Sequence, residues 1–294
     1  GYMLCDSYYQ SHVDQALKVI ESAFKQFYTI DIKDCPFDFD LQSYLQNVRS
    51  KYLQGLILDE QLSSNVKKQF GTILHLLDYL EEQKKHSKLN EYLFEEEISI
   101  DKSYDGIDIT FKGVIDKVMM TKYNDKEVIA VIDYKTGDKN IKLDTLEYGI
   151  NIQLPIYLYL LKKSSRFKNS VIAGFYIEKV LNNCLNIDKN KSLETLKKEN
   201  LRLQGYTNSN ETIISLLDDN YLDSKMIKGL RFKNDGSFYS TSKVLSNEEM
   251  DKLIIVVDEI IDKVIKSIVN GDYEINPKVI KGKNIACEYC KFKD

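Results

Sequence analysis

Five apolar residues, Val128 to Ile132, run straight into Asp133-Tyr134-Lys135-Thr136-Gly137, and this stretch constrains the chain more than any other. A β-branched run of that length, closed by a turn-forming glycine, is the pattern of a strand buried in a sheet. Side chains alternate along a strand, so Asp133 and Lys135 leave the same face a few ångströms apart. Upstream, Ile107-Asp108-Ile109-Thr110-Phe111 leads into Gly113-Val114-Ile115-Asp116, a second strand-like segment. The polar connection from Lys122 to Lys126, containing Asn124-Asp125, predicts a hairpin that brings Asp116 beside Asp133 and Lys135. An isolated Asp-x-Lys is most often a surface ion pair. Here it ends a buried-type strand, is followed by Thr-Gly, and has a Gly-x-x-Asp strand before it at hairpin distance. Two carboxylates and an ammonium converging at strand ends suit metal-assisted phosphodiester hydrolysis. The carboxylates hold a divalent cation, the cation lowers the pKa of a bound water, and the lysine steadies the nucleophile or the developing charge.

A fourth feature lies downstream in Gln153-Leu154-Pro155-Ile156-Tyr157, inside the apolar stretch Ile150 to Leu161. Gln153 and Tyr157 share one face of a helix at this spacing. Pro155 lacks a backbone donor, which places it near the helix start or at a kink. On an apolar helix alone, Gln and Tyr make a polar edge. After an Asp-x-Lys strand, they read as a helix packed over the site, holding the lysine and a DNA phosphate.

The remaining periodicities predict helices over 11–27, 41–58 and 64–86, then strands over 92–100, 107–119 and 127–134. The Gln153 helix, a strand over 171–180, mixed helical and loop segments, and a long helix over 246–268 follow. That order predicts an α/β fold, a central mixed sheet flanked by helices with helical additions at both ends. The expected division is a helical part over 1–90 packed on the core, a catalytic core over 91–181, and a helical and loop extension over 182–294.

Composition sets the outer limits. With 294 residues, 43% of them hydrophobic, the chain can bury one good core or two modest ones. No stretch approaches the roughly 20 apolar residues of a membrane span, and the start lacks a signal-peptide pattern, so a soluble, cytoplasmic protein is expected. The net charge of −4 (41 basic, 45 acidic residues) is unusual for a protein that depends on DNA affinity alone. A metal-dependent nuclease escapes that objection, because bound cations offset the carboxylates locally. No Gly-rich phosphate loop ending in Lys-Ser or Lys-Thr is present, so no ATPase activity is assigned. The start at Gly1 and the stop at Asp294, four residues past a Cys-x-x-Cys pair, suggest a piece of a longer polypeptide.

Gly113-x-x-Asp116, Asp133-Tyr134-Lys135-Thr136-Gly137 and Gln153-x-x-x-Tyr157, in that order, resemble the PD-(D/E)XK nucleases of the RecB type. Further on come Gly229-Leu230, Asp235-Gly236-Ser237-Phe238, a long helix, Gly271-Asp272-Tyr273-Glu274-Ile275-Asn276-Pro277 and Ala286-Cys287-Glu288-Tyr289-Cys290. These look like the end of the AddB family, the second chain of bacterial AddAB helicase–nucleases. The resemblance implies a restriction-endonuclease-like core and a Mg²⁺- or Mn²⁺-dependent DNA exonuclease that resects double-strand ends beside a helicase motor. It also implies DNA and a helicase/nuclease partner subunit as partners, and no membrane. Asp116, Asp133, Lys135, Gln153 and Tyr157 take the catalytic positions.

The resemblance adds a histidine ligand from a helix before the first strand. Of His12, His75 and His86, His12 is preferred because a long helical segment separates it from the strands; His75, in Gly71-Thr72-Ile73-Leu74-His75, competes, and His86 reads as surface. The expected metal shell is therefore His12, Asp116, Asp133 and the backbone carbonyl of Tyr134. Cys287 and Cys290 correspond to cysteines of an iron–sulfur cluster (4Fe–4S). Neither Cys5 nor Cys35 fills the upstream position well, so no intact cluster is expected within this chain. Two other readings compete: a stand-alone nuclease of the Cas4-like or phage-recombination sort, and an inactive domain kept for DNA binding or docking. The retained Asp116, Asp133 and Lys135 argue against the inactive reading.

Overall fold

A computed structural model of the chain describes residues 79–135, 140–179, 190–273 and 279–284. In chain order these carry β1 (Glu91–Tyr104), β2 (Ile107–Tyr123), β3 (Lys126–Lys135), α1 (Gln153–Lys163), β4 (Val171–Lys179) and α2 (Leu193–Leu201). Then follow β5 (Gln204–Asn208), α3 (Glu211–Leu217), β6 (Val244–Leu245), α4 (Asn247–Val269), β7 (Val279–Ile280) and β8 (Lys283–Asn284). The chain forms two compact units, Gly1–Glu82 with Lys179–Leu201, and Gln83–Glu178 with Arg202–Asp294. In the first unit the described residues include α2, whose start is held by the Ser192 hydroxyl accepting from the Thr195 N–H at 3.1 Å. The helices expected over 11–27 and 41–58, and most of the one over 64–86, lie outside the described residues.

The second unit is organised by one six-stranded mixed sheet in the order β1-β2-β3-β4-β5-β6. β1 and β2 pair antiparallel through Asp105-Gly106, both at positive φ (49° and 78°). β2 and β3 pair antiparallel through Asn124-Asp125, also at positive φ (48° and 60°), which is the expected hairpin. Positive φ at both central residues is the two-residue turn that matches strand twist. The tight Asp105-Gly106 turn lets the first ladder run to Tyr104↔Ile107, so β1 outlasts its predicted end at Ile100.

The apolar run of β3 has a direct cause, since both of its faces are covered. Ile129 and Val131 pack with Leu158, Leu160 and the α4 stripe of Met250, Leu253, Val257 and Ile261. Val128, Ala130 and Ile132 pack with Ile213, Ile214 and Leu217 of α3 and with Met226 and Ile227. A strand buried on both sides loses the alternating pattern and reads as continuous apolar sequence. α4 starts one residue later than expected, at Asn247. Ser246 and Glu249 form a reciprocal capping box there, which satisfies two N–H groups at the helix start.

Two further strands join the sheet from a stretch whose sequence does not announce them. β5, Gln204-Gly205-Tyr206-Thr207-Asn208, is short and half polar, and it pairs antiparallel with β4. Only glycine fits at 205, because a Cβ there would sit 2.0 Å from the Phe175 carbonyl oxygen. β6 runs parallel to β5 through Thr207↔Val244 and Asn208↔Leu245. Among the described residues, no helix is long and apolar enough to cross a membrane.

Candidate active site

The β2–β3 ladder stops at Lys117↔Ile132, one residue short of Asp116 and Asp133. Past that rung the strands no longer pair backbone to backbone. Asp116 takes over: its Oδ2 accepts from the Tyr134 N–H at 2.7 Å. A side chain therefore closes the gap that the ladder leaves, and its carboxylate is fixed against β3. On the other side of β2 the pairing skips a rung between Phe94↔Lys117 and Glu96↔Ile115, so Glu95 stands opposite Asp116 at φ 50°. The irregularity switches which residues face α1. Ile109, Phe111 and Ile115 join the α1-side core before it, and Val118 and Met120 after it.

Asp133 and Lys135 do leave the same face. Lys135 Nζ lies 2.6 Å from Asp133 Oδ2, with the Asp133 side chain 2% exposed and that of Lys135 20% exposed. α1 delivers the rest. Gln153 is its first residue and Pro155 its third, where a missing N–H costs nothing because the first turn has no acceptors for it. Gln153 Oε1 accepts from Lys135 Nζ at 3.0 Å, and Gln153 Nε2 donates to the Tyr157 hydroxyl at 2.8 Å. The chain Asp133–Lys135–Gln153–Tyr157 is thus continuous. α1 comes this close because residue 113 has no side chain: a Cβ there would meet Leu160 Cδ1 at 2.5 Å and Tyr157 at 3.7 Å. That is the physical content of the glycine in Gly113-x-x-Asp116.

Burial raises the pKa of the Tyr157 hydroxyl; the Gln153 hydrogen bond lowers it in part, and the charges of Asp133, Asp116 and Glu95 raise it further. Tyr157 is therefore a neutral hydroxyl at physiological pH, accepting from Gln153. Glu95 thus joins Asp116 and Asp133 in acting on the Tyr157 hydroxyl, and it is the carboxylate the sequence did not single out. Its only sequence signal is a place in Glu95-Glu96-Glu97, which reads as a solvated strand face.

Among the described residues, no group of three or more His, Cys, Asp or Glu side chains is arranged to hold a metal ion. Asp116 and Asp133 supply two oxygen donors, the kind that hard divalent cations prefer. His12 and His75 lie outside the described residues, as do Thr136, Gly137 and all five cysteines, including Cys287 and Cys290. His86 is exposed, with Nδ1 2.8 Å from Asp219 Oδ1, well away from any of these roles.

Comparison with known proteins bears on the same segments. Over 192 residues the chain is 31% identical to the B subunit of the ATP-dependent helicase/deoxyribonuclease of Thermoanaerobacter pseudethanolicus, covering 64% of this chain and 17% of that protein. The protein of that name in Caldanaerobacter subterraneus is 30% identical over 193 residues, 64% of this chain and 16% of its own length. The one in Clostridium acetobutylicum is 28% identical over 194 residues, 64% of this chain and 17% of its own length. The chain thus spans a small part of the length of these relatives. The sequence profile of the PD-(D/E)XK nuclease superfamily matches residues 23–294, nearly the whole chain, and takes in both strands and the helix that build the site. On that match, and on a mixed sheet with helices on its faces, the chain belongs to the PD-(D/E)XK nuclease superfamily.

Proposed function

We propose that this chain hydrolyses phosphodiester bonds of DNA with Mg²⁺ or Mn²⁺, as the exonuclease part of a helicase–nuclease that resects double-strand ends. The observation that carries the reading is the surplus of carboxylate at the open end of the β2–β3 ladder, with one lysine held in place by Gln153. The names of the relatives supply the DNA substrate and the companion motor.

Asp116 and Asp133 would hold the divalent cation. The Tyr134 carbonyl is a third candidate, because a strand residue sends its N–H and C=O to the same side and the Tyr134 N–H already points at Asp116. The histidine of the set would be His12. A cation bound there supplies Lewis acidity and a water of lowered pKa. The chain's own residues do the positioning. The Tyr134 N–H orients the Asp116 carboxylate. Gln153 restrains the Lys135 ammonium, so that its charge meets the attacking oxygen or the charge that develops on the phosphate. The Tyr157 hydroxyl, kept protonated, fixes the Gln153 amide so that Oε1 faces the lysine.

The test is cleavage of linear duplex and single-stranded DNA with Mg²⁺, Mn²⁺ or EDTA, in the parent protein and in Asp116→Ala, Asp133→Ala and Lys135→Ala. Cleavage that needs the divalent ion and disappears in each variant is expected. Full activity in Asp133→Ala would remove this site from the chemistry.

A further inference from the structure

Behind the site, on the sheet face away from α1, lies a buried ion pair that the proposed chemistry does not use. Lys117 is the first residue of β2 paired on both sides, to Phe94 of β1 and to Ile132 of β3, and it directly follows Asp116. Its side chain is 6% exposed and that of Glu178, near the end of β4, is fully buried. Lys117 Nζ lies 3.9 Å from Glu178 Oε2, and Glu178 Oε1 accepts from Gln83 Nε2 at 2.8 Å. The strand order is β2-β3-β4, so this contact reaches across the intervening strand β3. The ring of Tyr134 stands over it, 5.9 Å from the ammonium, with the ring of Tyr92 at 5.6 Å. Tyr134 is the residue whose N–H holds Asp116.

We propose that Lys117 and Glu178 are positioning residues for the site: they clasp β2 to β4 across β3, pin the Tyr134 peptide from behind, and so set the Asp116 carboxylate. The inference rests on the nuclease reading above. Two charges removed from water are costly, and a well-packed apolar pair is often as stable or more so, so stability alone is a poor reason to keep them here. Lys117 sits on the rung of the β2–β3 ladder that adjoins Asp116 and Asp133. An outer partner that orients a metal-binding carboxylate typically changes metal affinity or activity by about 10- to 100-fold.

The experiment compares the parent chain with the paired neutral variant Lys117→Met/Glu178→Gln, and separately with Tyr134→Leu, which removes the ring and keeps the peptide. Mn²⁺ affinity is read by calorimetry without DNA, folding by thermal melting, and cleavage as kcat and KM. A melting temperature near that of the parent is expected for Tyr134→Leu, together with about tenfold weaker Mn²⁺ binding and about tenfold lower kcat at unchanged KM in both proteins. Lys117→Arg, which keeps the cation, should recover most of the Mn²⁺ affinity. Parent-like Mn²⁺ binding and kcat in the paired variant, or in Tyr134→Leu should the paired variant fail to fold, would overturn the positioning role and leave the nuclease reading intact. A parent that neither binds Mn²⁺ nor cuts DNA would overturn both.

Discussion

Two carboxylate–lysine clusters flank α1, and they differ in their balance of charge. Away from the site, Asp258 of α4 lies 2.5 Å from Lys102 of β1 and 2.7 Å from Lys163 of α1, and accepts from the Tyr159 hydroxyl at 2.8 Å. Asp262 also pairs with Lys102. Burial pushes the Asp258 carboxyl up, but the hydrogen bonds from Lys102, Lys163 and Tyr159 outweigh it and hold the pKa at about 2. Both Asp258 oxygens are engaged, and the cluster ties β1, α1 and α4 together. There two carboxylates face two ammonium groups; at the other cluster carboxylate is in excess. Asp133 pairs with Lys135 at 2.6 Å, and the neighbouring Asp116 is held by the Tyr134 N–H and pairs with no lysine among the described residues. Proximity of Asp to Lys does not distinguish a site from a lock. The proposed site differs from the lock in its excess of carboxylate beside an interrupted ladder.

The largest expected effect exchanges the two clusters. Asp133→Asn should lower metal-dependent cleavage by on the order of 10³-fold while the urea midpoint moves little, because the carboxylate serves the reaction rather than the fold. If Asp258→Asn abolished cleavage to the same degree, the contrast between site and lock would collapse.

Gly113→Ala acts on both clusters, since the new methyl would press on Leu160 and Tyr157 in the middle of α1. Overpacking of this kind should cost about 2 kcal/mol of stability, with a parallel loss of cleavage, read by urea denaturation and by single-turnover rates. An unchanged denaturation midpoint would show that α1 shifts freely and that the fit at residue 113 is not tight.

Asp258→Asn should cost about 1–2 kcal/mol after screening by solvent, with cleavage nearly intact. The pH dependence follows from its sign. The folded pKa lies below the unfolded carboxyl value, so the stabilisation is present above roughly pH 4 and is lost as pH falls towards about 2. The parent should lose stability through that window, and Asp258→Asn should lose less. Equal acid sensitivity in both proteins would mean that other carboxylates set the acid limit.

The smallest effect is expected at Gln153→Ala, which frees Lys135 without removing it. A fall in kcat of about tenfold at near-constant KM and melting temperature is anticipated. A KM effect alone would assign Gln153 to substrate binding instead of to the lysine.

The sequence carried the grouping of these side chains better than it carried the sheet. Asp116, Asp133 and Lys135 were legible because the β2–β3 hairpin is local: a two-residue turn fixes register, and register fixes which side chains meet. Gln153 and Tyr157 were legible through helical spacing. β5 and β6 were not, since Gln204–Asn208 is short and half polar, and its place in the sheet comes from pairing with β4 rather than from its own pattern.

What the sequence determined by itself is what periodicity encodes within a few residues: the buried strand Val128–Ile132, the hairpin turn at Asn124-Asp125, the common face of Asp133 and Lys135, and the capped helix after Ser246. The tertiary structure decided everything that depends on neighbours distant in sequence. It placed Glu95 across from Asp116, left the Tyr134 N–H to a side chain, drew Lys117 under β3 to Glu178, and put Asp258 among donors from β1 and α1. The reason is physical. Local patterns fix which way a side chain points, but whether a carboxylate becomes a lock or a site depends on the charges that other segments bring to it.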